Sequence, residues 1–250
     1  ELLLSSGAAM KLRRVSTDEL KLFVAIIKGD VNETKRLLKR GAIVDAETDT
    51  GDTPFTIAAS LGHMDVMKIL AQKSANIDFR GQDGRTPLMI ASSCGNLNVA
   101  SLLLKLGADV NARDNRGNTA LMLGTTNKQP HVVKLLINNS AYINVTNEQG
   151  TTPLMKAAEY GLDEIVRLLL ARGASVDDKD KQGCTALMRA AEQGNLEATK
   201  LLIKKTRDID AQDLEGQTAL MRAVKNGHKT LVKILVDAGA DPNIKDWEGK

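Results

Sequence analysis

Apolar residues in this chain follow two superimposed rhythms. At short range they fall three and four apart, as in Val166, Leu169 and Leu170, the spacing of an amphipathic helix. At long range the same pattern returns after a fixed interval. Glycines stand at Gly51, Gly84, Gly117, Gly150, Gly183, Gly216 and Gly249, each 33 residues from the last. Two residues after each of the first six comes Thr53, Thr86, Thr119, Thr152, Thr185 or Thr218. An aliphatic pair closes the apolar pattern of each copy, ending in Leu70, Leu103, Leu136, Leu169, Leu202 and Leu235, with no insertion or deletion between copies. Polar stretches such as Asp109–Gly117, DVNARDNRG, separate the apolar blocks and have the composition of turns.

Each 33-residue unit therefore reads as helix, turn, helix and hairpin-like loop. The threonine can cap the first helix, because its hydroxyl accepts from an amide of the first turn that has no partner within the helix. Proline, where present, follows it at the first helical position, where a missing N–H costs nothing. The first helix is expected to stop near Gly62, Gly95, Gly161, Gly194 and Gly227, and the second at Gly107, Gly173 and Gly239. Two copies depart from the pattern. Gly124–Pro130 replaces an alanine pair and the inter-helix glycine, with Pro130 able to open the second helix. Thr206-Arg207 stands where Gly-Ala is expected, and a β-branched residue resists the left-handed conformation, so that helix end should be built differently.

The frame Gly-x-Thr-Pro-Leu, then Ala, Gly, Leu-Leu and Gly-Ala, at a period of 33, resembles the ankyrin repeat. The resemblance implies an all-α solenoid of stacked helix-turn-helix units with hairpin-like loops. One departure is systematic: the family favours histidine where this chain has Thr56, Met89, Met122, Met155, Met188 and Met221. The bonds that histidine makes in the family are not available here. Flexible methionines filling gaps between repeats are the simplest reading.

The expected organisation is a leader or linker over 1–15, a divergent capping repeat over 16–46, six repeats over 47–246, and the start of a further, truncated repeat over 247–250. Ser16-Thr17-Asp18-Glu19 can form a capping box. Glu33 and Arg36 occupy mostly aliphatic columns, as suits a terminal repeat with nothing stacked on its outer side. Trp247-Glu248-Gly249-Lys250 reads as the opening of another unit, so a longer parent protein, with a catalytic or membrane domain beyond, stays open.

Composition narrows the function classes. The 34 basic and 31 acidic residues nearly balance, which argues against nucleic acid as the partner. No apolar run reaches the roughly 20 residues of a membrane-spanning helix. Cys94 and Cys184 lack framework spacing, which points to a reducing, cytoplasmic setting. They sit three repeats apart, too far for an internal disulfide at the usual 8–10 Å helix spacing. His63, His131 and His228 lie at inter-helix turns of separate repeats, so they do not suggest a shared metal. Asp177, Asp178 and Asp180 read as a solvated turn rather than a calcium site. We find no catalytic constellation, cofactor motif or metal set, and the segment is not read as an enzyme.

The resemblance implies that partners dock on the hairpin tips and the exposed side of the first helices. The columns there vary while the framework does not. Just before the periodic glycine stand Leu214 and Trp247; just after it stand Asp52, Arg85, Asn118, Thr151, Cys184 and Gln217. Near the end of the first helix stand Leu61, Cys94, Asn127, Tyr160, Gln193 and Asn226. Lys156, Arg189 and Arg222 form a basic stripe, one per repeat, with Glu159 and Glu192 three residues after the first two and placed for intrahelical pairing. The candidate partner-binding residues are thus Leu61, Arg85, Tyr160, Lys156, Arg189, Arg222, Leu214 and Trp247. The expected function is a monomeric scaffold that binds a protein or peptide, an acidic one among the options, on its concave face. The alternative is a sensor module holding a phosphorylated small molecule or oligonucleotide on the basic stripe and regulating an attached domain.

Overall fold

A computed structural model describes residues 2–3, 9–10 and 16–249. Most of the 1–15 leader lies outside the described residues; within it, β1 (Leu2–Leu3) pairs antiparallel with β2 (Ala9–Met10). The rest of the described chain is helical, and it divides into two units, residues 1–115 and 116–250.

The first unit holds three helix pairs: α1 (Thr17–Lys28) with α2 (Val31–Lys39), α3 (Pro54–Leu61) with α4 (Met64–Gln72), and α5 (Pro87–Cys94) with α6 (Leu97–Lys105). Ser16 and Glu19 form the reciprocal capping box at the head of α1. Glu33 and Arg36 meet in an exposed ion pair at 2.6 Å. The core runs through Leu22, Phe23, Phe55, Leu70, Leu88 and Leu103, all fully buried.

The second unit holds four pairs: α7 (Ala120–Thr126) with α8 (Pro130–Asn138), α9 (Pro153–Glu159) with α10 (Asp163–Ala171), α11 (Ala186–Gln193) with α12 (Leu196–Ile203), and α13 (Ala219–Lys225) with α14 (Lys229–Asp237). First helices stack in the order α7, α9, α11, α13, and second helices in the order α8, α10, α12, α14. Leu121, Leu136, Leu169, Leu202 and Leu235 fill the layer between them. Each stack is the repeat solenoid that the 33-residue period predicts.

The recurrent methionines lie inside. Met89, Met122, Met155 and Met188 are buried, and Met221 is half-buried. In three repeats the thioether does more than fill space: Sδ of Met155, Met188 and Met221 accepts the amide of Thr152, Thr185 and Thr218, each at 3.4 Å. The methionine amide in turn donates to the threonine hydroxyl oxygen. A weak sulfur acceptor thus completes a box that Thr56 completes in its own repeat with a hydroxyl.

Side chains at three inter-helix turns tie their repeat to the one before. His63 Nε2 lies 3.1 Å from the Ile27 carbonyl oxygen, and His228 Nε2 lies 3.1 Å from that of Glu192. Asn195 donates to the carbonyls of Ala158 and Glu159. The loops are joined too, by side chains that accept the amide 30 or 31 residues ahead: Asp45 from Asn76, Asp78 from Asp109, Asn144 from Ser175, Asp177 from Arg207 and Asp210 from Asp241.

Both irregular copies resolve physically. Pro130 opens α8. Where Gly107, Gly173 and Gly239 turn left-handed, Thr206 does not. Instead α12 stops at Ile203, and Asp177 takes both the Thr206 hydroxyl and the Arg207 amide.

Candidate partner-binding surface

The hairpin loops of the second unit close in the same way in successive repeats. Asp180 N donates to Cys184 O, and Asp213 N to Gln217 O. One oxygen of each carboxylate turns back into its own loop: Asp180 Oδ1 accepts the amides of Gln182 and Cys184, and Asp213 Oδ1 those of Glu215 and Gln217. The tips then join by backbone bonds. Lys181 N donates to Gln149 O, Leu214 N to Gln182 O, and Trp247 N to Glu215 O.

The second carboxylate oxygens face the first helices, where the basic stripe arrives. Arg189 Nη2 reaches Asp180 Oδ2 at 2.5 Å and Gln182 Oε1 at 2.6 Å. Arg222 Nη2 reaches Asp213 Oδ2 at 2.5 Å and Cys184 Sγ at 3.2 Å, while Nη1 takes Glu192 Oε2 at 2.7 Å. The expected intrahelical pairing holds for Lys156 and Glu159, at 2.9 Å. It does not hold for Arg189: Glu192 serves Arg222 of the next repeat, because Asp180 already holds Arg189. The stripe is also not a solvated face. The Arg189 side chain keeps 23% of its surface exposed and Arg222 only 12%.

Two further expectations change. Asp180 is buried rather than solvated, since it anchors both its loop and an arginine. Cys184 is buried instead of standing out at the tip. Burial pushes its thiol pKa up, and the nearby charges of Arg222 and Arg189 pull only partly the other way. Asp213 shows the opposite balance. Burial alone would raise its pKa, but Arg222 and the amides of Gln217 and Glu215 hold it below the usual aspartate value. Burial likewise opposes the charge on Arg222 and is the largest single influence, but the bond to Asp213 together with the charges of Cys184, Glu192 and Asp213 outweighs it.

Leu214 is 71% exposed at its hairpin tip. It borders a groove of about 510 Å³ with Gln182, Arg189, Glu192, Asp213, Glu215, Gln217, Arg222, Lys225 and Asn226. Three cations face three carboxylates there, so the groove is polar without being basic. Trp247, 67% exposed, stands one tip further on, with its ring close over Gly216. Tyr160 is half-buried, and its ring sits between Lys128 Nζ at 5.5 Å and Lys156 Nζ at 5.6 Å, within cation–π range. Leu61 and Arg85 belong to the first unit. Leu61 is half-buried at the end of α3; Arg85 Nε lies 3.1 Å from Asp83 and 3.9 Å from Asp114.

The residues missed from sequence are therefore Asp180 and Asp213. A signal was present: in both of these repeats an aspartate precedes the arginine by nine residues, whereas Lys156 is preceded by Asn147. Among the described residues no group of three or more His, Cys, Asp or Glu side chains could hold a metal ion. Among the same residues no helix is long and apolar enough to cross a membrane.

Compared with known families, the chain matches the model for ankyrin repeats in three copies, over residues 22–114, 113–180 and 172–246. No curated protein matches it.

Proposed function

Because this chain belongs to the ankyrin-repeat family, we propose that it is a non-catalytic scaffold that binds a protein partner on its concave face, the side of the hairpin tips and first helices. Ankyrin repeats are generally protein–protein interaction modules and are typically non-catalytic. The observation that carries the finer reading is Leu214, a large apolar side chain held 71% exposed beside a charge-balanced groove. Its backbone is fixed by the bond from its amide to Gln182 O, so little ordering cost remains when a partner seats on it. Apolar anchors in such settings supply a large share of binding energy.

Geometry weighs against the sensor alternative. A phosphate on the stripe would have to displace Asp180 from Arg189, and Asp213 and Glu192 from Arg222. The groove favours apolar contact and neutral hydrogen bonding over an acidic partner. The test compares the proteins retained by the wild-type chain with those retained by Leu214→Asp. A protein that binds the first directly and is lost with the second supports the reading. Retention unchanged by Leu214→Asp, but abolished by Arg189→Glu with Arg222→Glu and by moderate salt, would return the stripe to first place.

A further inference from the structure

The second helices of the first unit carry an unbalanced outer face. Each packs on its own first helix through buried residues, Leu37 on α2, Val66 on α4 and Val99 on α6, and turns the opposite stripe outward. Val31, Met64 and Leu97 open the three helices and start that stripe. Met64 is 38% exposed and Leu97 40%, with Val31 half-buried. One turn on, the stripe holds Lys35 and Lys68, and one turn further Lys39 and Lys105. Lys73 follows at the end of α4, and all five lysines are exposed. Among the described residues Lys35, Lys39, Lys73 and Lys105 have no ion-pair partner, while Lys68 pairs with Asp65 at 2.9 Å. The stacking of α1 on α3, α3 on α5 and α2 on α4 sets these stripes in one row, with neighbouring axes about 8–10 Å apart.

The unit as a whole does not share this charge. Its carboxylates gather in the hairpin loops, at Asp45, Glu47, Asp49 and Asp52 and again at Asp78 and Asp83. A lysine at a helix C-terminus suits the helix dipole, but Lys35 and Lys68 lie mid-helix, so end effects do not account for the face. Nor does the repeat frame require it, because the second unit breaks the pattern. There the columns of Met64 and Asp65 hold Asp163 and Glu164 on α10 and Glu197 on α12, with Lys229 opening α14.

We propose that this face docks on the surface of an anionic lipid bilayer. Met64 and Leu97 enter the headgroup boundary, and the lysines extend their stems along it to reach the negative headgroups. Exposed apolar side chains set beside unpaired cations match a layer in which hydrocarbon lies under negative charge. A nucleic-acid backbone would leave Met64 and Leu97 against phosphates. An acidic peptide is held by a cleft, whereas these cations stand on the outward crests of three helices. The contact lies on the surface and needs no spanning helix. It shares no residue with the groove at Leu214, so the two proposals stand or fall apart.

The test sediments the full chain with vesicles of phosphatidylcholine containing about 30% phosphatidylserine, and with vesicles of phosphatidylcholine alone. Saturable binding to the anionic vesicles is expected, at least about tenfold stronger than to the neutral ones and falling at least about tenfold as salt rises from about 50 to about 500 mM. Lys35→Glu with Lys105→Glu should weaken it at least about 30-fold. The same charge reversal at Lys134→Glu with Lys233→Glu, in the matching column of the second unit, should change it less than about threefold. Met64→Gln with Leu97→Gln, which keeps every charge, should weaken it at least about fivefold. Should Lys35→Glu with Lys105→Glu lose helical circular dichroism, Lys39→Ala with Lys73→Ala takes its place. Absence of binding, equal binding to both vesicles, or indifference to the glutamine pair overturns the proposal. Equal losses from the two lysine reversals overturn it too, because total charge alone would then govern binding. Retention on immobilised polyglutamate without binding to vesicles overturns it in favour of an acidic protein partner.

Discussion

Arg222 and Asp213 lie nine residues apart in sequence and meet at 2.5 Å inside the repeat, the arginine side chain 12% exposed and the aspartate side chain 2%. The contact joins a first helix to the hairpin that precedes it. Arg222 also spans to Glu192 and to Cys184 Sγ of the previous repeat, so one side chain fixes both the shape of a loop and the seating of neighbouring units. Arg189 and Asp180 repeat the intrarepeat half of this arrangement one unit earlier.

Breaking the pair from either side leaves a charge buried without its counterpart. Such breaks typically cost about 3–5 kcal/mol. Asp213→Ala also removes the acceptor for two loop amides, so it should be at least as damaging as Arg222→Met, which keeps apolar bulk. Urea denaturation is the measurement. The double variant is expected to lose less than the sum of the two single losses, because neither charge is then orphaned. Additive losses would mean that the two groups act independently.

The pH dependence follows from two aspartates with opposite shifts. Asp213 has a folded pKa below its unfolded value, which lies near about 3.9. The folded state therefore binds fewer protons in that window, and the stabilisation from Asp213 is present above about pH 4 and lost as pH falls through the folded value. Asp78 is shifted upward: burial raises it, the Asp109 amide lowers it, and the Asp109 charge raises it again. A raised carboxylate lowers stability at neutral pH and regains it as pH falls through its folded pKa. Asp78→Asn should then raise the unfolding free energy from urea denaturation at pH 7, by roughly a few tenths of a kcal/mol at this partly exposed site. Near pH 3 the gain should vanish. Asn144 already fills the equivalent column with a carboxamide, accepting from Ser175 at 2.9 Å.

These pairs also mark how far the sequence reaches. Helix positions, Thr caps and the buried leucine columns were legible because each depends on spacing within one unit, repeated in a fixed frame. The ladder of Lys156, Arg189 and Arg222 was visible for the same reason. The partners of its arginines were not. Spacing of three residues on a helix favours Glu192 for Arg189, yet the hairpin carries Asp180 back over the start of α11, where a closer and more buried carboxylate takes the guanidinium. That choice depends on how the loop folds over the helix, and helical periodicity holds no information about it. The burial of Cys184 follows from the same fold of the loop and escaped notice with it.

Gly183 and Gly227 share a left-handed backbone, with φ +78° and +73°, but differ in their surroundings. A Cβ on Gly227 meets nothing within 4 Å, whereas one on Gly183 would stand 2.9 Å from the Leu214 amide nitrogen. Gly227→Ala should therefore cost only the backbone preference, about 1 kcal/mol. Gly183→Ala must in addition push one hairpin tip off the next, because the obstructing atoms are backbone and cannot rotate away. Its loss in thermal or urea unfolding should be roughly twice as large or more. Equal losses would show that the tips yield to one another and are not rigidly stacked.

Leu214 separates stability from recognition. With 71% of its surface in solvent, its replacement by aspartate should move the unfolding free energy by no more than about 0.5 kcal/mol. If it anchors a protein partner, the same change should weaken binding by at least about 2 kcal/mol, a factor of about 30. Arg189→Gln should instead lower stability, because it removes a partner from the buried Asp180. Binding measured by titration calorimetry at two salt concentrations completes the distinction. An affinity held by apolar contact at Leu214 should fall less than threefold or so between 50 and 200 mM salt, whereas one held by several phosphate–cation contacts falls by orders of magnitude. A steep fall with salt that Leu214→Asp leaves untouched would shift the binding surface from the tip to the arginines beneath it.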